Sequence, residues 1–231
     1  MTTRLTEGAP AAPTAGGRGL LISLEGVDGC GKSTQAAVLA QRLGAAGRRV
    51  ASVREPGATD LGRDVREIVL HRPWEQSLDP WAEALLLVAA RAQLIAEVIR
   101  PEMAAGAVVL CDRFVDSTLA YQGVARGLGV EPLRRLHVLA CGDIWPDLTL
   151  FLDIDAAAAA RRRFDAALPL DRMESGGDAF LTAVVEGFRG LARSDAGRIV
   201  VVDASRGPGE VADAIAAVVE QHLGIALGAP A

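Results

Sequence analysis

The sequence is poor in several features, and each shortage excludes a class of protein. Three cysteines in 231 residues are too few, and too scattered, for a disulfide scaffold or a zinc cage. The net charge of −5 and the lack of a basic tail argue against nucleic acid or a membrane surface as a partner. The first 18 residues lack the apolar run of a signal peptide, and the most apolar later stretch, 82–100, is interrupted by Glu83, Arg91 and Glu97. We therefore expect a soluble, cytoplasmic protein that binds neither nucleic acid nor membranes.

Lysine is the rarest charged residue of the chain. Of the 24 basic residues 23 are Arg, and only Lys32 is a lysine. Arg presents a wide planar fork, whereas Lys carries a compact charge on a thin stem. Because Arg is used almost everywhere else, Lys32 indicates a site at which the two side chains are not interchangeable.

Short apolar runs alternate with helical patterns along the chain. Strands are predicted at 19–26, 48–53, 107–112, 148–154 and 198–204, and helical patterns fill 60–70, 79–100, 131–141, 155–167, 177–195 and 209–223. This alternation predicts an α/β fold, a five-stranded parallel sheet with helices on both faces. We expect one domain over 19–224, a disordered leader over 1–18 and a flexible tail over 225–231.

A glycine-rich segment follows the first predicted strand and precedes a helix. Residues 26–33, GVDGCGKS, satisfy the pattern G-x-x-x-x-G-K-[ST], in which backbone N–H groups surround a phosphate chain. Lys32 is expected to reach the β- and γ-phosphates, and the Ser33 hydroxyl to ligate Mg²⁺. The sequence therefore predicts a nucleoside triphosphate site. Its residues are Gly26, Val27, Asp28, Gly29, Cys30, Gly31, Lys32, Ser33 and Thr34.

Further charged and polar side chains leave alternatives open. Asp112 and Arg113 close the third strand, where an Asp can hold Mg²⁺ and an Arg can clamp an acceptor phosphate, although a surface salt bridge would also fit. Arg91, in a mostly apolar helix, is either solvated or buried against a partner. Tyr121 is either a core residue or part of a site, and Glu25 is either a site carboxylate or a structural acceptor at a strand end.

Several blocks of this sequence resemble the bacterial thymidylate kinases, in the family's order and at about its spacing. The blocks are LEGVDGCGKSTQ (24–35), REPGAT (54–59), AARAQL (89–94), CDRFVDSTLAYQG (111–123), PDLTLFLD (146–153) and DRME (171–174). The resemblance implies a P-loop nucleoside monophosphate kinase architecture with a short lid, over about 155–175. It also implies Mg²⁺-dependent transfer of the ATP γ-phosphoryl group to dTMP, giving dTDP, by a protein that is usually a homodimer. The helices at 79–100 and 131–141 are candidates for pairing.

The resemblance also assigns roles in the acceptor site. It places Arg113 on the acceptor phosphate, Tyr121 against the sugar where a ribose 2′-OH would sit, and Arg91 on the base. Leu87 stands where the family usually has a Phe that stacks on the base, which weakens stacking. The remaining residues expected to bind substrate are Asp28, Arg54, Ser117, Thr118 and Gln122.

Catalytic and metal-binding residues follow from the same resemblance. The catalytic set is Lys32, Asp112, Arg113, Arg163 and Arg172, and the metal set is Ser33, Asp28, Asp112 and Glu174. No Arg lies inside the phosphate loop, so the lid must supply the cation, as in the lid-arginine branch of the family. Arg161, Arg162 and Arg163 are adjacent, however, and at most two of three consecutive helical residues can face the phosphates. Ala58 replaces the family's usual Gly, a costly change if that position requires positive φ.

Three other functions remain open at this point. The altered lid and Leu87 fit a nucleoside monophosphate kinase of broader specificity. A nucleotide-driven switch or partitioning ATPase shares the phosphate loop, although a guanine reader of the N-K-x-D type is excluded because the chain has no Asn. A phosphate-binding module that has lost catalysis is the third. No general base is needed for an acceptor phosphate that is already ionised, so His71, His137 and His222 have no assigned role.

Overall fold

The computed structural model of the chain describes residues 18–75, 78–167, 172–173 and 176–227. Residues 1–17 of the expected leader and 228–231 of the expected tail lie outside this part. Ile225 and Leu227 were expected in the flexible tail, but both are buried, and the Leu227 N–H donates to Glu220 Oε1 at 2.6 Å. The packed domain therefore extends past residue 224, because two apolar side chains join the core.

Five parallel strands form the sheet in the order β2-β3-β1-β4-β5. They are β1 (Leu20–Glu25), β2 (Val50–Arg54), β3 (Val108–Asp112), β4 (Leu148–Asp153) and β5 (Ile199–Asp203). Every residue of β3 is buried, whereas the edge strands β2 and β5 carry exposed residues. A central strand buried along its whole length requires cover on both faces of the sheet, which confirms the predicted architecture.

Helices occupy the connections that the sequence predicted. They are α1 (Lys32–Ala45), α2 (Asp60–Arg66), α3 (Pro80–Leu94), α4 (Arg100–Ala104), α5 (Val115–Thr118), α6 (Val130–Cys141), α7 (Ala156–Asp165), α8 (Gly177–Ser194) and α9 (Pro208–Leu223). Wider π-helical turns continue α2 through Glu67–His71, join α3 to α4 through Ile95–Ile99 and extend α5 through Leu119–Ala125. The helical run predicted to end at residue 100 thus reaches Ala104, and Pro101 follows the π-helical turn in α4.

The sheet brings the carboxyl ends of its central strands to one edge. Leu24 of β1 and Arg54 of β2 are both in register with Asp112 of β3. Ligands of such sheets bind outside this edge, so the loops after these strands are positioned to form a site. Within the described residues, no helix is both long and apolar enough to cross a membrane.

Candidate active site

The phosphate loop is shaped by glycines at positions that no other residue could occupy without strain. Gly29 has φ +89°, and a Cβ built on it would lie 2.3 Å from the carbonyl oxygen of Ala159 on α7. Gly26 has φ +137°, and its Cβ would lie 2.8 Å from the carbonyl oxygen of Leu152 on β4. Because L-residues disfavour this backbone region and the neighbours are main-chain atoms, the loop accepts only glycine here. The predicted cradle therefore packs directly on the strand and the helix beside it.

Lys32 lies in the first turn of α1 with its amine inside the loop. The Nζ atom donates to the carbonyl oxygens of Gly26 and Val27, both at 3.0 Å, and to Asp28 Oδ1 at 3.2 Å. Burial and the neighbouring Arg113 lower the pKa of Lys32, but the surrounding acidic groups outweigh both and leave it above its usual value. The only lysine of the chain is thus a fully charged group at the centre of the phosphate loop.

Ser33 and Asp112 form the candidate metal site. The Ser33 hydroxyl donates to Asp112 Oδ2 at 2.7 Å, and Arg54 Nε lies 3.9 Å from the same oxygen. The other oxygen, Oδ1, is buried, and no group of the described residues hydrogen-bonds to it. A hydroxyl beside a carboxylate with a free oxygen is a donor set that suits Mg²⁺. The residues present therefore fit the expected ion.

Asp28 serves two cations rather than one. Its Oδ1 accepts from Lys32 and forms a short ion pair with Arg113 Nη2. Burial alone would raise the pKa of Asp28, but the two cations hold it well below its usual range. Asp28 thus links Lys32 of the phosphate loop to Arg113 of the Asp-Arg pair.

Arg113 leaves β3 with a left-handed backbone, φ +71°, which turns its side chain towards the phosphate loop. Nη1 donates to the Gly26 carbonyl at 2.8 Å and to Ser117 Oγ at 3.2 Å, and the guanidinium lies 5.2 Å from the centre of the Tyr121 ring. A non-glycine residue in this region marks a position that the surrounding contacts determine. Arg113 therefore belongs to a partly buried network and not to the surface salt bridge that the sequence left open.

Glu25 is a structural acceptor at the end of β1, one of the two roles that the sequence left open. Its two carboxylate oxygens accept from the Phe114 N–H at 2.7 Å and from Ser117 Oγ at 2.6 Å, so it holds the loop that follows β3. Burial, followed by the nearby Asp116, raises the pKa of Glu25 to about 8. The carboxylate acts on the site by fixing Ser117, a residue that contacts Arg113.

Arg91 is buried against a partner, the second of its two alternatives. Its side chain is 1% exposed, pairs with Glu55 and donates to Thr118 Oγ1 at 2.7 Å and to the Phe114 carbonyl at 3.4 Å. All of these contacts use Nη2. Nε and Nη1 are buried without a hydrogen-bond partner among the described residues. A guanidinium that keeps two donors unused beside a cleft is suited to a carbonyl group of a ligand.

A cleft of about 570 Å³, its mouth included, extends from the phosphate loop between α3 and α5. All nine residues predicted to bind substrate line it: Asp28, Arg54, Leu87, Arg91, Arg113, Ser117, Thr118, Tyr121 and Gln122. Six further residues line the cleft, Glu55, Pro56, Arg66, Leu70, Phe114 and Met173. The apolar members of this second group carry no sequence signal that separates them from core residues.

A second cavity lies on the other side of the phosphate loop. Gly29, Gly31 and Thr34 line it together with the residues that connect β5 to α9. Arg162 closes one wall, because its guanidinium donates to the carbonyl oxygens of Ala204 at 2.7 Å and Ser205 at 2.9 Å. Of the adjacent arginines on α7, Arg162 therefore forms part of this wall.

Two lid residues of the expected site, Arg163 and Arg172, lie in the described part of the chain. Arg172 donates from Nε to the Val69 carbonyl at 2.7 Å and pairs through Nη2 with the buried Glu83 on α3. Arg163 is half-buried on α7 and, like Arg172, lines neither of these two cavities. The expected metal residue Glu174 lies outside the described residues. Arg172 therefore attaches the described segment 172–173 to α3 through Glu83.

The backbone of the REPGAT segment explains why Ala58 is tolerated. Gly57 has φ +136°, whereas Ala58 is not among the described non-glycine residues with positive φ. The backbone strain that Ala58 would suffer at a positive φ is therefore absent.

A glycine-rich phosphate loop, a strand-end Asp-Arg pair beside it and an adjoining acceptor cleft on a parallel sheet define a P-loop nucleoside monophosphate kinase. The sequence profile of the family described as "Thymidylate kinase" matches residues 24–215. The chain belongs to this family.

Curated relatives and a solved structure agree with this placement. The chain is 46% identical over 202 residues to a thymidylate kinase of Thermomicrobium roseum, an alignment that covers 87% of this chain and 95% of the relative. It is 49% identical over 193 residues to one of Pseudomonas fluorescens, covering 81% and 89%. The crystal structure of thymidylate kinase from Ehrlichia chaffeensis superposes with a TM-score of 0.69 at 29% identity, covering 87% of this chain and 98% of that one.

Proposed function

We propose that this protein is an ATP-dependent dTMP kinase, which transfers the γ-phosphoryl group of ATP to dTMP and releases ADP and dTDP. The observation that carries the proposal is the network around Arg113. Its guanidinium contacts the phosphate loop at Gly26 and the acceptor cleft at Ser117 and Tyr121, where it would face the donor and the acceptor phosphates together. Family membership supports dTMP as the acceptor, since the relatives bear the name thymidylate kinase.

The proposed reaction depends on positioning and charge. The loop N–H groups and Lys32 would bind the transferred phosphoryl group, and Arg113, with Arg54, would hold the acceptor phosphate in line. Ser33 and Asp112 would hold Mg²⁺, which neutralises charge on the β- and γ-phosphates when it is bound. The acceptor oxygen is already ionised at neutral pH, so none of these residues has to remove a proton.

Specificity for thymine is assigned to the inner end of the cleft. Arg91 has two buried donors without partners, which suit the O4 carbonyl of thymine and reject the amino group of cytosine. Tyr121 is 6% exposed and lies against Arg113, where it would pack on the deoxyribose and leave no room for a 2′-OH. Leu87 lines the cleft in place of an aromatic residue, so it contributes apolar contact without ring stacking.

The lid retains one candidate catalytic cation. Arg172 is bound to Glu83, so we assign it to lid attachment, and we assign Arg163 on α7 to the phosphates. An assay of Arg163→Ala against Arg161→Ala distinguishes the assignment, since kcat should fall only in the former. Equal activities would remove Arg163 from the mechanism.

We also propose a cytoplasmic homodimer. Trp81 and Leu85 on α3 and Val138 and Leu139 on α6 are 42%, 50%, 47% and 85% exposed, and the two helices pack side by side. Large apolar side chains exposed on adjoining helices are typical of an interface. The three cysteines are free and buried, as expected in a reducing compartment. Leu139→Asp should convert a dimer to a monomer in sedimentation equilibrium, and a wild-type monomer would contradict the assembly.

A phosphorylation panel tests the activity. The full chain is assayed with ATP and Mg²⁺ against dTMP, dUMP, dCMP, dAMP, dGMP and UMP. We expect strong preference for dTMP, loss of turnover in Lys32→Ala, and normal turnover in the control Arg193→Ala, whose side chain is exposed on α8. Activity spread over several monophosphates would point to a broader kinase, and absence of turnover with ATP still bound would contradict the kinase assignment.

A further inference from the structure

Glu83 is a fully buried carboxylate that the mechanism above does not use. It lies in the first turns of α3, is 0% exposed and has one amide and two guanidinium groups as polar neighbours. These are Gln122 Nε2 at 2.8 Å, Arg126 Nε at 3.5 Å and Arg172 Nη2 in a short ion pair. A buried carboxylate is costly unless cations and hydrogen bonds compensate it. Three convergent groups from two segments, one over 122–126 and the other at Arg172, mark Glu83 as the centre of an organised cluster.

We propose that Glu83 is a positioning residue for base selection, which fixes the Gln122 amide so that its oxygen is available to an imide N–H of the acceptor base. The inference rests on the proposed dTMP kinase activity. It adds a residue that acts on specificity through Gln122 and that also anchors the lid.

The orientation of the Gln122 amide follows from the chemistry of its partner. An amide has a donor end and an acceptor end, whereas a carboxylate only accepts. The Nε2 end is therefore bound to Glu83, which directs Oε1 away from it. Oε1 is buried and has no hydrogen-bond partner among the described residues, and the Gln122 side chain lines the acceptor cleft. Gln122, a residue of the cleft wall, thus carries one acceptor atom that no group of the described residues uses.

Arg91 and Gln122 together present a pattern that matches thymine. Arg91 offers unused donors, Nε and Nη1, and Gln122 offers an unused acceptor. Thymine presents the complement, the O4 carbonyl beside the N3–H group. Cytosine presents an amino group and an unprotonated N3, so both contacts would be mismatched. An amide free to rotate would instead offer its NH₂ group to cytosine, so selection requires the orientation that Glu83 imposes.

The same carboxylate connects the base to the lid. Arg172 binds Glu83 through Nη2, while its backbone N–H donates to the Leu70 carbonyl at 3.0 Å. The next residue, Met173, is buried and lines the cleft together with Leu70. The attachment of the lid and the orientation of Gln122 therefore depend on one side chain.

A double-mutant cycle on selectivity tests the inference. The kcat/KM values for dTMP and dCMP are measured in wild type, Glu83→Gln, Gln122→Leu and the double variant, with Glu97→Gln as the matched control. Glu97 is exposed in the continuation of the same helix. In Glu83→Gln the new amide can either donate or accept, so Gln122 loses its fixed orientation. We expect the dTMP/dCMP ratio to fall about tenfold or more in each single variant, with little further loss in the double variant, and to remain unchanged in the control.

Other results would overturn the inference. If Glu83→Gln lowers kcat/KM equally for both acceptors, or if the two losses of selectivity multiply, Glu83 serves structure alone. If the variant does not fold, wild type assayed with N3-methyl-dTMP decides: turnover equal to that of dTMP refutes the N3–H contact, and at least about a tenfold loss is expected. Failure of wild type to phosphorylate dTMP would overturn the proposed function itself, a result seen before any variant is made.

Discussion

Replacing Arg91 by Met separates the contribution of this residue to stability from its contribution to specificity. The substitution keeps most of the apolar stem but removes the cation bound to Glu55, which is only 4% exposed. Breaking a buried ion pair by removing one partner typically costs about 3–5 kcal/mol, because the other charge stays buried and unpaired. We therefore expect a loss of this size in the free energy of unfolding measured with urea at pH 8. Arg49→Met, which breaks the more exposed pair with Glu102, should cost only about 0.2–1 kcal/mol.

The pH dependence of the Arg91→Met variant has a defined sign. Burial raises the pKa of Glu55 even in the wild type, although Arg91 opposes the rise. Without Arg91 the folded protein holds the Glu55 proton more tightly than the unfolded chain does. The stability from this bound proton is fully present below the pKa that Glu55 has in the unfolded chain. It is lost as the pH rises through the pKa of Glu55 in the folded protein. Relative to wild type, the variant should therefore be more stable at pH 5 than at pH 8.

Specificity provides the second measurement on Arg91. Arg91→Met/Glu55→Gln should recover part of the lost stability, since no charge remains buried, but the preference for dTMP over dCMP should stay reduced by about tenfold or more. An Arg91→Met variant as stable as wild type at both pH values would refute the electrostatic argument. Unchanged acceptor preference would refute the role of Arg91 in reading the base.

Three further predictions concern the phosphate loop and its neighbours. Gly29→Ala should lower ATP affinity by about tenfold in calorimetry, because the new Cβ would meet the Ala159 carbonyl. The control Gly47→Ala has open space around its Cβ and should leave ATP affinity unchanged. Equal effects of the two substitutions would contradict the packing argument. Asp112→Asn should raise the Mg²⁺ concentration for half-maximal activity by about tenfold, and an unaltered Mg²⁺ profile would exclude this carboxylate from the metal site. In the wild type, the free energy of unfolding should fall as the pH rises from about 4.5 to 8, because the pKa of Glu25 in the folded protein is about 8. Glu25→Gln should make this fall smaller. A pH dependence identical to that of wild type would show that Glu25 does not cause it.

Local patterns predicted most of the fold and the cleft. The apolar runs that became β1, β3 and β4 are buried on both faces, so continuous hydrophobicity indicates them reliably. The phosphate loop and the Asp112–Arg113 pair follow strands directly, and parallel topology alone brings them to one edge. The acceptor residues between Ser117 and Gln122 lie in one short helical segment, so the resemblance located them together.

Contacts between distant segments could not be predicted in the same way. Glu83 was read only as a charge that interrupts an apolar stretch, because nothing in the sequence pairs it with Arg172, 89 positions further on. The pairing of Arg172 with Glu83 was not predicted either. Only the folded structure shows that these two side chains lie together. Ile225 and Leu227 follow a helix-ending Gly224 and resemble a tail, and their burial depends on the surface that α9 presents to them.

The sharing of Asp28 by Lys32 and Arg113 has a consequence for any attempt to redesign this protein. One carboxylate balances the charge of Lys32 in the phosphate loop and of Arg113 in the acceptor cleft. The electrostatics of the loop and of the cleft therefore cannot be changed independently through this residue. A substitution of Asp28 that is meant to adjust affinity at the phosphate loop also alters the charge balance in the acceptor cleft, and the reverse is equally true. Engineering of acceptor choice is better directed at the inner wall of the cleft, where Leu87 and Thr118 line the cavity without contacting this shared carboxylate.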